Sequence, residues 1–390
     1  MSIDAVTGAM QAGGTPGRRR RRRRMGALAI SLVMILAACG SDDGSDDEDP
    51  STTAAAGSDT TAAAAAGECE ELTPVKIAVI NVPPKFAYST PVFADVLDYY
   101  ELFCLDAEVI GFSGGIQAVR ATQAGEADIG FGPTTSLISV VAGGSDLVGF
   151  FSPASLLPQQ VVVTEGIDSC EDLEGQTVAT GGPGDLVHFL MTMYLDSCGL
   201  VIGEDVEVLI GDAVDLGPYL ADGLAQGSAT HPEESAILFD QVGVQLTSLG
   251  GVAEIAPDFH YLSLFGFRDF LEDPANRETA TRAAAAMMAT NRFLTDPANE
   301  DTVVELAKET IIAGDVDGVA ELGYERYGSL FPTTCAEALD PARYEWTINW
   351  AYEAEEIEEP MPVDTLIDQS ICADAEALVD GTEDLSPPGL

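Results

Sequence analysis

Positive charge and histidine are scarce in this sequence. Its 390 residues contain 17 Lys and Arg, 65 Asp and Glu and only three His, which gives a formal net charge of −48. Seven of the basic residues form a single run at 18–24. A nucleic-acid-binding protein needs a basic surface to displace phosphate counterions, and docking on anionic lipid also needs basic residues. The sequence therefore predicts no nucleic-acid partner and argues against attachment to anionic lipid by charge alone.

The signatures of several metal-site and enzyme classes are also missing. The seven Cys include no CxxC pair, none has a His at the spacing of zinc ligands, and neither HExxH nor a P-loop occurs. His188, His231 and His260 lie far apart in the sequence and share no local metal-ligand pattern. We therefore predict no metal site, no cofactor and no enzymatic activity.

The N-terminus has the organisation of an export signal. The basic run at 18–24 precedes 14 residues, 25–38, that are mainly apolar and too short to span about 30 Å of hydrocarbon. This stretch ends in Leu36-Ala37-Ala38-Cys39-Gly40, which resembles the bacterial lipobox. We predict a signal peptide at 1–38 and a lipidated Cys39 that anchors the protein to the outer side of the cell membrane. An ordinary cleavage site with an incidental Cys is the alternative.

A polar segment follows the lipobox. Residues 40–67 contain seven acids but no basic and no aromatic residue. Such a segment buries too little apolar surface to become ordered. Together with Cys39 it is predicted to form a disordered acidic and Ala-rich tether at 39–67.

The other six Cys fit an exported protein. An even number of Cys in an oxidising compartment favours disulfides, and six Cys allow 15 pairings. Proximity in the sequence favours Cys69 with Cys104, Cys170 with Cys198, and Cys335 with Cys372. Free buried thiols are the alternative for any of these pairs.

Beyond residue 68, short apolar runs alternate with helical periods. Strands are expected at 75–80, 106–111, 127–131, 160–164 and 177–180, and helices at 91–104, 114–124, 185–195, 216–224, 278–296, 299–313 and 344–358. Strands that alternate with helices indicate βαβ units and mainly parallel sheets. Residues 114–138 and 217–238 also share an order of helix, short segment and Pro-containing polar loop, which indicates two similar α/β lobes unless the likeness is chance.

Several motifs occur in an order typical of one family. They are the strand at 75–80, Phe112-Ser113-Gly114-Gly115, Ala124-Gly125-Glu126-Ala127-Asp128-Ile129-Gly130, Asp172-Leu173-Glu174-Gly175-Gln176-Thr177-Val178, His231-Pro232-Glu233, Ile348-Asn349-Trp350 and Pro362-Val363-Asp364. In this respect the chain resembles substrate-binding proteins of ABC importers, in the nitrate, sulfonate, taurine and thiamine-pyrimidine-precursor group.

This resemblance implies a fold and a function. The fold would be α/β and periplasmic-binding-protein-like of type II, with two lobes of mainly parallel sheet joined by two hinge strands. Residues 72–160 with 258–390 would form lobe 1, and 161–257 would form lobe 2. The protein would be a monomeric extracytoplasmic receptor that binds a small molecule between the lobes and delivers it to an ABC permease.

Ligands of open α/β sheets lie at the carboxyl ends of the strands, beside helix N-termini. Four loops qualify, and each can instead serve as a plain turn or cap. The candidate ligand contacts come from these loops and from the segments around His188 and His231. They are Lys85, Tyr88, Ser113, Gly114, Thr134, Thr135, Asp185, His188, His231 and Glu233.

The charges of these loops restrict the ligand. Only Lys85 is a basic residue in a candidate loop, whereas Asp185, Glu233 and Glu234 are able to balance an amine. A dianion is disfavoured by the acidic field of the whole protein. A sulfonate- or taurine-like monoanion and a pyrimidine-type ring are both candidate ligands. A surface sensor lipoprotein is an alternative function, as is an enzyme that resembles thiamine-pyrimidine synthases, although their Cys-rich motif is absent.

Overall fold

The computed structural model describes residues 69–390. The predicted signal peptide 1–38, the lipidation site Cys39 and the tether 39–67 lie outside the described residues. Within 69–390, no helix combines the length and the apolar character needed to cross a bilayer.

Apolar runs of four to eight residues form two five-stranded sheets, whose strands are numbered along the chain. The first sheet has the order β2-β1-β3-β10-β4 and consists of β1 (Thr73–Ile80), β2 (Leu105–Phe112), β3 (Ile129–Pro133), β4 (Leu147–Phe151) and β10 (Leu262–Phe267). β1 pairs in parallel with β2 and β3, whereas β10 is antiparallel to β3 and β4. β3 and β4 are buried along their whole length, as expected of strands covered on both faces.

The second sheet repeats this arrangement with the order β7-β6-β8-β5-β9. It consists of β5 (Gln160–Val163), β6 (Thr177–Thr180), β7 (Glu207–Ile210), β8 (Gly227–Thr230) and β9 (Thr247–Gly251). β6 is parallel to β7 and β8, and β5 is antiparallel to β8 and β9. Each sheet therefore has one reversed strand, which is the strand that the chain forms first after crossing from the other sheet. The prediction of mainly parallel α/β sheets is confirmed.

Helices cover both sheets. They are α1 (Thr90–Val96), α2 (Tyr99–Leu102), α3 (Gly115–Gln123), α4 (Thr134–Ala142), α5 (Leu186–Ser197), α6 (Leu216–Ala221), α7 (Pro232–Val242), α8 (Arg268–Glu272), α9 (Pro274–Thr295), α10 (Glu300–Thr310), α11 (Val319–Tyr327), α12 (Cys335–Ala338), α13 (Pro341–Glu353), α14 (Val363–Leu366) and α15 (Gln369–Asp380). The Ala-rich α9 is buried along much of its length and packs against α1, α2 and α15. Its small side chains allow this close helix packing.

The internal sequence similarity reflects the repeated sheet topology. Residues 114–138 contain α3, β3 and the start of α4, and residues 217–238 contain α6, β8 and the start of α7. In both cases the strand lies beside the reversed strand of its sheet. The chain passes between the sheets at 152–159 and again at 252–261. The predicted lobe limits, 72–160 with 258–390 and 161–257, stay a prediction.

All three expected disulfides are present. Cys69–Cys104, Cys170–Cys198 and Cys335–Cys372 have Cα–Cα distances of 5.4, 6.2 and 5.6 Å. The first ties the segment before β1 to the start of β2, the second joins the end of α5 to the segment before β6, and the third links α12 to α15. Because each bridge joins neighbouring elements, proximity in the sequence was sufficient to pair them.

Candidate functional site

A cleft of about 630 Å³, counting its opening to solvent, lies between the two sheets. Its walls are formed by Ile80, Asn81, Lys85, Tyr88, Gly114, Gly115, Pro133, Gln159, Asp185, Leu186, Val187, Ala213, Leu216, Gly217, Ala229, Thr230, His231 and Glu234. β1, β3 and β8 all point their carboxyl ends into this cleft, at Ile80, Pro133 and Thr230. This is the position in which open α/β sheets bind ligands.

Five helices, α3, α4, α5, α6 and α7, begin at the cleft wall, and the N-termini of α5 and α7 already carry protein carboxylates. Asp185 caps α5 by accepting a hydrogen bond of 2.9 Å from the backbone N–H of Val187. The first turn of α7 contains Glu233 and Glu234. By contrast, α3 begins at Gly114 with no side-chain cap. A carboxylate at a helix N-terminus satisfies the positive end of the helix dipole, so α3 presents uncapped N–H groups to the cleft, in contrast to α5 and α7.

The loop after β1 places Lys85 and Tyr88 on the wall. Between them Phe86 is buried, with its ring stacked 5.8 Å from that of Tyr327. The ring also lies so close to Gly323 of α11 that a Cβ there would overlap it. The loop is therefore held against α11 by an aromatic anchor, and its polar side chains face the second sheet.

Lys85 forms an ion pair across the cleft. Its Nζ lies 2.6 Å from Oε2 of Glu234 on α7, and the two side chains are only 17% and 16% exposed. Burial is the largest single effect and disfavours the charged amine, but the attraction and hydrogen bond of Glu234, with the nearby Tyr88 and Glu233, together outweigh burial and raise the pKa of Lys85. Lys85 is thus charged at neutral pH, and the pair joins the loop of the first sheet to a helix of the second.

His231 is the centre of a buried polar cluster. Its Nε2 lies 3.1 Å from the Tyr88 hydroxyl and 3.4 Å from both Gln159 Nε2 and the Tyr261 hydroxyl. Its Nδ1 lies 3.4 Å from the Tyr327 hydroxyl. Burial, with a contribution from nearby Lys85, lowers the pKa of His231 well below its usual value, so the ring is neutral.

The hydrogen-bond directions in this cluster follow from Glu233. The Tyr327 hydroxyl donates to the Oε2 atom of Glu233, so the Tyr327 oxygen is free to accept from His231 Nδ1–H. Nε2 is then the unprotonated nitrogen and accepts from Tyr88. Burial raises the pKa of Glu233.

A second buried network lies behind the cleft wall, around His260. Its Nε2 donates to the carbonyl of Ala338 at 3.0 Å, so its Nδ1 must accept from the Thr134 hydroxyl, also at 3.0 Å. The Thr134 oxygen lies 2.7 Å from Ser263 Oγ, which lies 2.7 Å from the Tyr344 hydroxyl. The hydroxyl of Thr134 is therefore engaged in structure, and burial lowers the pKa of His260 to about 3.

Five of the ten candidate contacts lie on the cleft wall: Lys85, Tyr88, Gly114, Asp185 and His231. The other five lie beside or behind it. Ser113 is exposed, Thr134 and Thr135 are buried at the start of α4, and Glu233 is buried under His231. His188 lies 3.4 Å from Glu356, and burial lowers its pKa. Ligand contact by any of these ten residues stays a prediction.

Sequence reasoning missed Gln159 and Thr230. They lie together because Gln160 pairs with Thr230 across β5 and β8. No local motif marks Gln159, since it belongs to a passage between the sheets whose position depends on the whole fold. Thr230 had a usable signal, because it ends a strand directly before the His231-Pro232 start of a helix.

Ser113 lies in a stretch, Gly111-Phe112-Ser113-Gly114-Gly115, with the GxSxG spacing of hydrolase nucleophiles, and it lies between a strand and a helix. A nucleophilic Ser needs a His beside it. The rings of the three His residues contact other groups: His188 lies beside Glu356, His231 beside Tyr88 and His260 beside Thr134.

In residues 69–390, no group of three or more His, Cys, Asp or Glu is arranged to hold a metal ion.

A comparison with family models gives one match, the family described as NMT1/THI5 like, over residues 87–298. The matched segment covers more than half of the chain. The chain belongs to the NMT1/THI5-like family. A search of curated proteins gives no significant match.

Solved structures resemble this NMT1/THI5-like chain over most of its length. The periplasmic nitrate-binding protein NrtA from Synechocystis PCC 6803 has a TM-score of 0.66 at 12% identity, covering 82% of this chain and 92% of that one. The alkanesulfonate-binding protein SsuA from Xanthomonas axonopodis, bound to MOPS, has a TM-score of 0.58 at 17% identity, covering 77% and 100%. A zinc-bound ligand-binding component of an ABC-type import system from Staphylococcus aureus has a TM-score of 0.63 at 12% identity, covering 78% and 99%. The predicted periplasmic-binding-protein-like fold is confirmed.

Proposed function

We propose that this protein is an extracytoplasmic solute receptor that binds a small organic ligand between its two sheets and delivers it to the permease of an ABC importer. The ligand is sulfonate- or taurine-like or of pyrimidine type, and the protein is a monomer anchored to the cell membrane through Cys39. The observation that carries the proposal is the cleft at the carboxyl ends of β1, β3 and β8, where polar groups of both sheets face each other.

Contacts across the cleft support a receptor that closes on its ligand. The Lys85–Glu234 ion pair and the Tyr88–His231 hydrogen bond each join the loop after β1 to α7. A ligand that binds both walls favours the closed state over the open one, and closure exposes a different surface to a partner. The match to the NMT1/THI5-like family and the fold shared with solute-binding proteins support the same function.

Neither alternative function is favoured by a specific observation. A thiamine-pyrimidine-synthase-like enzyme would use a Cys-rich motif, but the Cys residues of 69–390 are paired in three disulfides. A surface sensor would use the same cleft without a permease.

A thermal-shift panel tests the proposal on protein shown by native mass spectrometry to be ligand-free. The panel contains taurine, methanesulfonate, nitrate, aminopyrimidine and benzamidine. We expect at least one member to stabilise the protein, by about 2.7 kcal/mol at 100 times its dissociation constant. An unchanged melting temperature with every member would contradict the proposed ligand classes.

A further inference from the structure

Two polar atoms on the cleft wall have no partner within the described part of the chain. They are Gln159 Oε1 and Thr230 Oγ1, and both side chains are at least 95% buried. A buried polar atom without a hydrogen bond costs free energy, so such atoms on a binding wall indicate where a ligand bonds.

The orientation of the Gln159 amide follows from its neighbours. Its Nε2 donates to the Tyr261 hydroxyl at 2.7 Å and faces the unprotonated Nε2 of His231. The amide nitrogen is therefore held on the His231 side, and Oε1 is the atom left over. That atom only accepts hydrogen bonds, so its ligand partner must be a donor.

The charges around the cleft oppose an anion. Among the described lining residues Lys85 is the only Lys or Arg, and Glu234 already neutralises it. Asp185 also lies on the wall, and Glu233 lies directly behind it. Two of the helix N-termini are occupied by these carboxylates, so a sulfonate or nitrate would meet more negative charge than free positive charge.

The uncapped start of α3 at Gly114 offers the opposite chemistry. Its backbone N–H groups bond an acceptor such as a ring nitrogen or a carbonyl oxygen. The cleft thus has an acceptor at Gln159 Oε1, a hydroxyl at Thr230 that accepts or donates, and backbone donors at Gly114. A compact polar molecule with both kinds of group matches this arrangement.

We propose that Gln159 and Thr230 determine specificity, and that they select an uncharged or cationic nitrogen compound with N–H donors over sulfonates and nitrate. This inference rests on the proposed receptor function and narrows its ligand class. Amines, amidines and aminated rings belong to the selected class. Thr230 Oγ1 and Gln159 Oε1 accept from the ligand N–H groups, and Gly114 receives the ligand acceptor.

Matched probes test the inference by titration calorimetry of the intact protein. Aminopyrimidine is compared with dimethylaminopyrimidine, which has a similar ring but no N–H, and methanesulfonate represents the anions. We expect aminopyrimidine to bind at least about 10-fold more tightly than either of the other two, since those probes have no N–H to donate to the buried Gln159 Oε1. Equal binding of the two pyrimidines, or tighter binding of methanesulfonate, would overturn the inference.

A variant pair locates the effect. Thr230→Val removes the hydroxyl at nearly constant shape, and Thr230→Ser keeps it. We expect Thr230→Val to weaken aminopyrimidine about 3- to 10-fold and to leave dimethylaminopyrimidine unchanged, while Thr230→Ser binds like the wild type. An equal loss for both probes, or no loss, would contradict a role for this hydroxyl.

The outcomes separate this inference from the receptor function. If methanesulfonate binds and the pyrimidines do not, the receptor function stands and the specificity inference is overturned. If no probe of either class binds, both are overturned for these ligands.

Discussion

Replacing Lys85 by Met should lower the free energy of unfolding by about 2 to 3 kcal/mol, because Glu234 then stays buried without its cation. The ion pair is short and more than four-fifths buried on both sides, so solvent screens it poorly. Urea unfolding followed by circular dichroism at neutral pH measures the change.

Two controls distinguish the lost pair from general damage. The double variant Lys85→Met with Glu234→Leu should recover most of the loss, because no unpaired charge remains. Lys308 also pairs with two acids, Glu305 and Glu321, but all three side chains are more than a third exposed, so Lys308→Met should have no measurable effect. A double variant as unstable as Lys85→Met would contradict this interpretation of the pair.

Acid should destabilise the protein through His260. Its pKa is about 3 when folded and about 6.5 when unfolded, so between these values the unfolded chain binds more protons. The stabilisation by neutral His260 is thus full above pH 6.5 and is lost as the pH falls towards 3. From about pH 7 to about pH 4.5 the loss from this residue alone is on the order of 2 to 3 kcal/mol.

Structure explains why His260 resists protonation. Burial is the main cause of the lowered pKa, the bond to Ala338 partly opposes it, and the charge of Arg343 adds to it. A proton on Nδ1 would also break the bond that this nitrogen accepts from Thr134. His231 changes stability in the same direction, whereas the raised pKa values of Glu233 and Asp185 act in the opposite direction.

The variant His260→Gln isolates this contribution. It should be less stable than wild type at neutral pH but should lose less stability on acidification, because its amide does not titrate. The measurement is the free energy of unfolding from urea titrations at both pH values. The same pH dependence in variant and wild type would show that His260 is not the titrating group.

The sequence predicted the site residues that lie at the ends of strands, because their position depends only on the local chain. Lys85, Asp185 and His231 each lie just after a strand, and strand ends can be recognised from apolar runs and helix starts. The expected helix 91–104 was wrong in one detail, because Asp98 adopts a left-handed conformation with φ 58° and separates α1 from α2. The apolar pattern continues across that break, so periodicity did not indicate it.

The remaining site residues depend on long-range contacts. Thr134 has the surroundings of a ligand contact in the sequence, but its hydroxyl bonds to His260 and Ser263, which are more than 120 residues away. Gln159 acquires its role from Tyr261 and His231, which lie on other segments. The Thr134 pairing forms only when β10 pairs with β3, and the Gln159 pairing only when the two passages between the sheets meet the second sheet, so no local pattern carries them.

The most direct test of ligand binding between the sheets uses a variant that fills the cleft. Ala213 is exposed at the cleft wall, so Ala213→Trp places an indole there without disturbing the core, and Ala298→Trp is a matched exposed control outside the wall. Titration calorimetry compares both variants with wild type, using the panel member that gives the largest thermal shift. We expect Ala213→Trp to weaken binding at least about 10-fold and Ala298→Trp to bind like the wild type. Unchanged affinity in Ala213→Trp would contradict a ligand site between the two sheets.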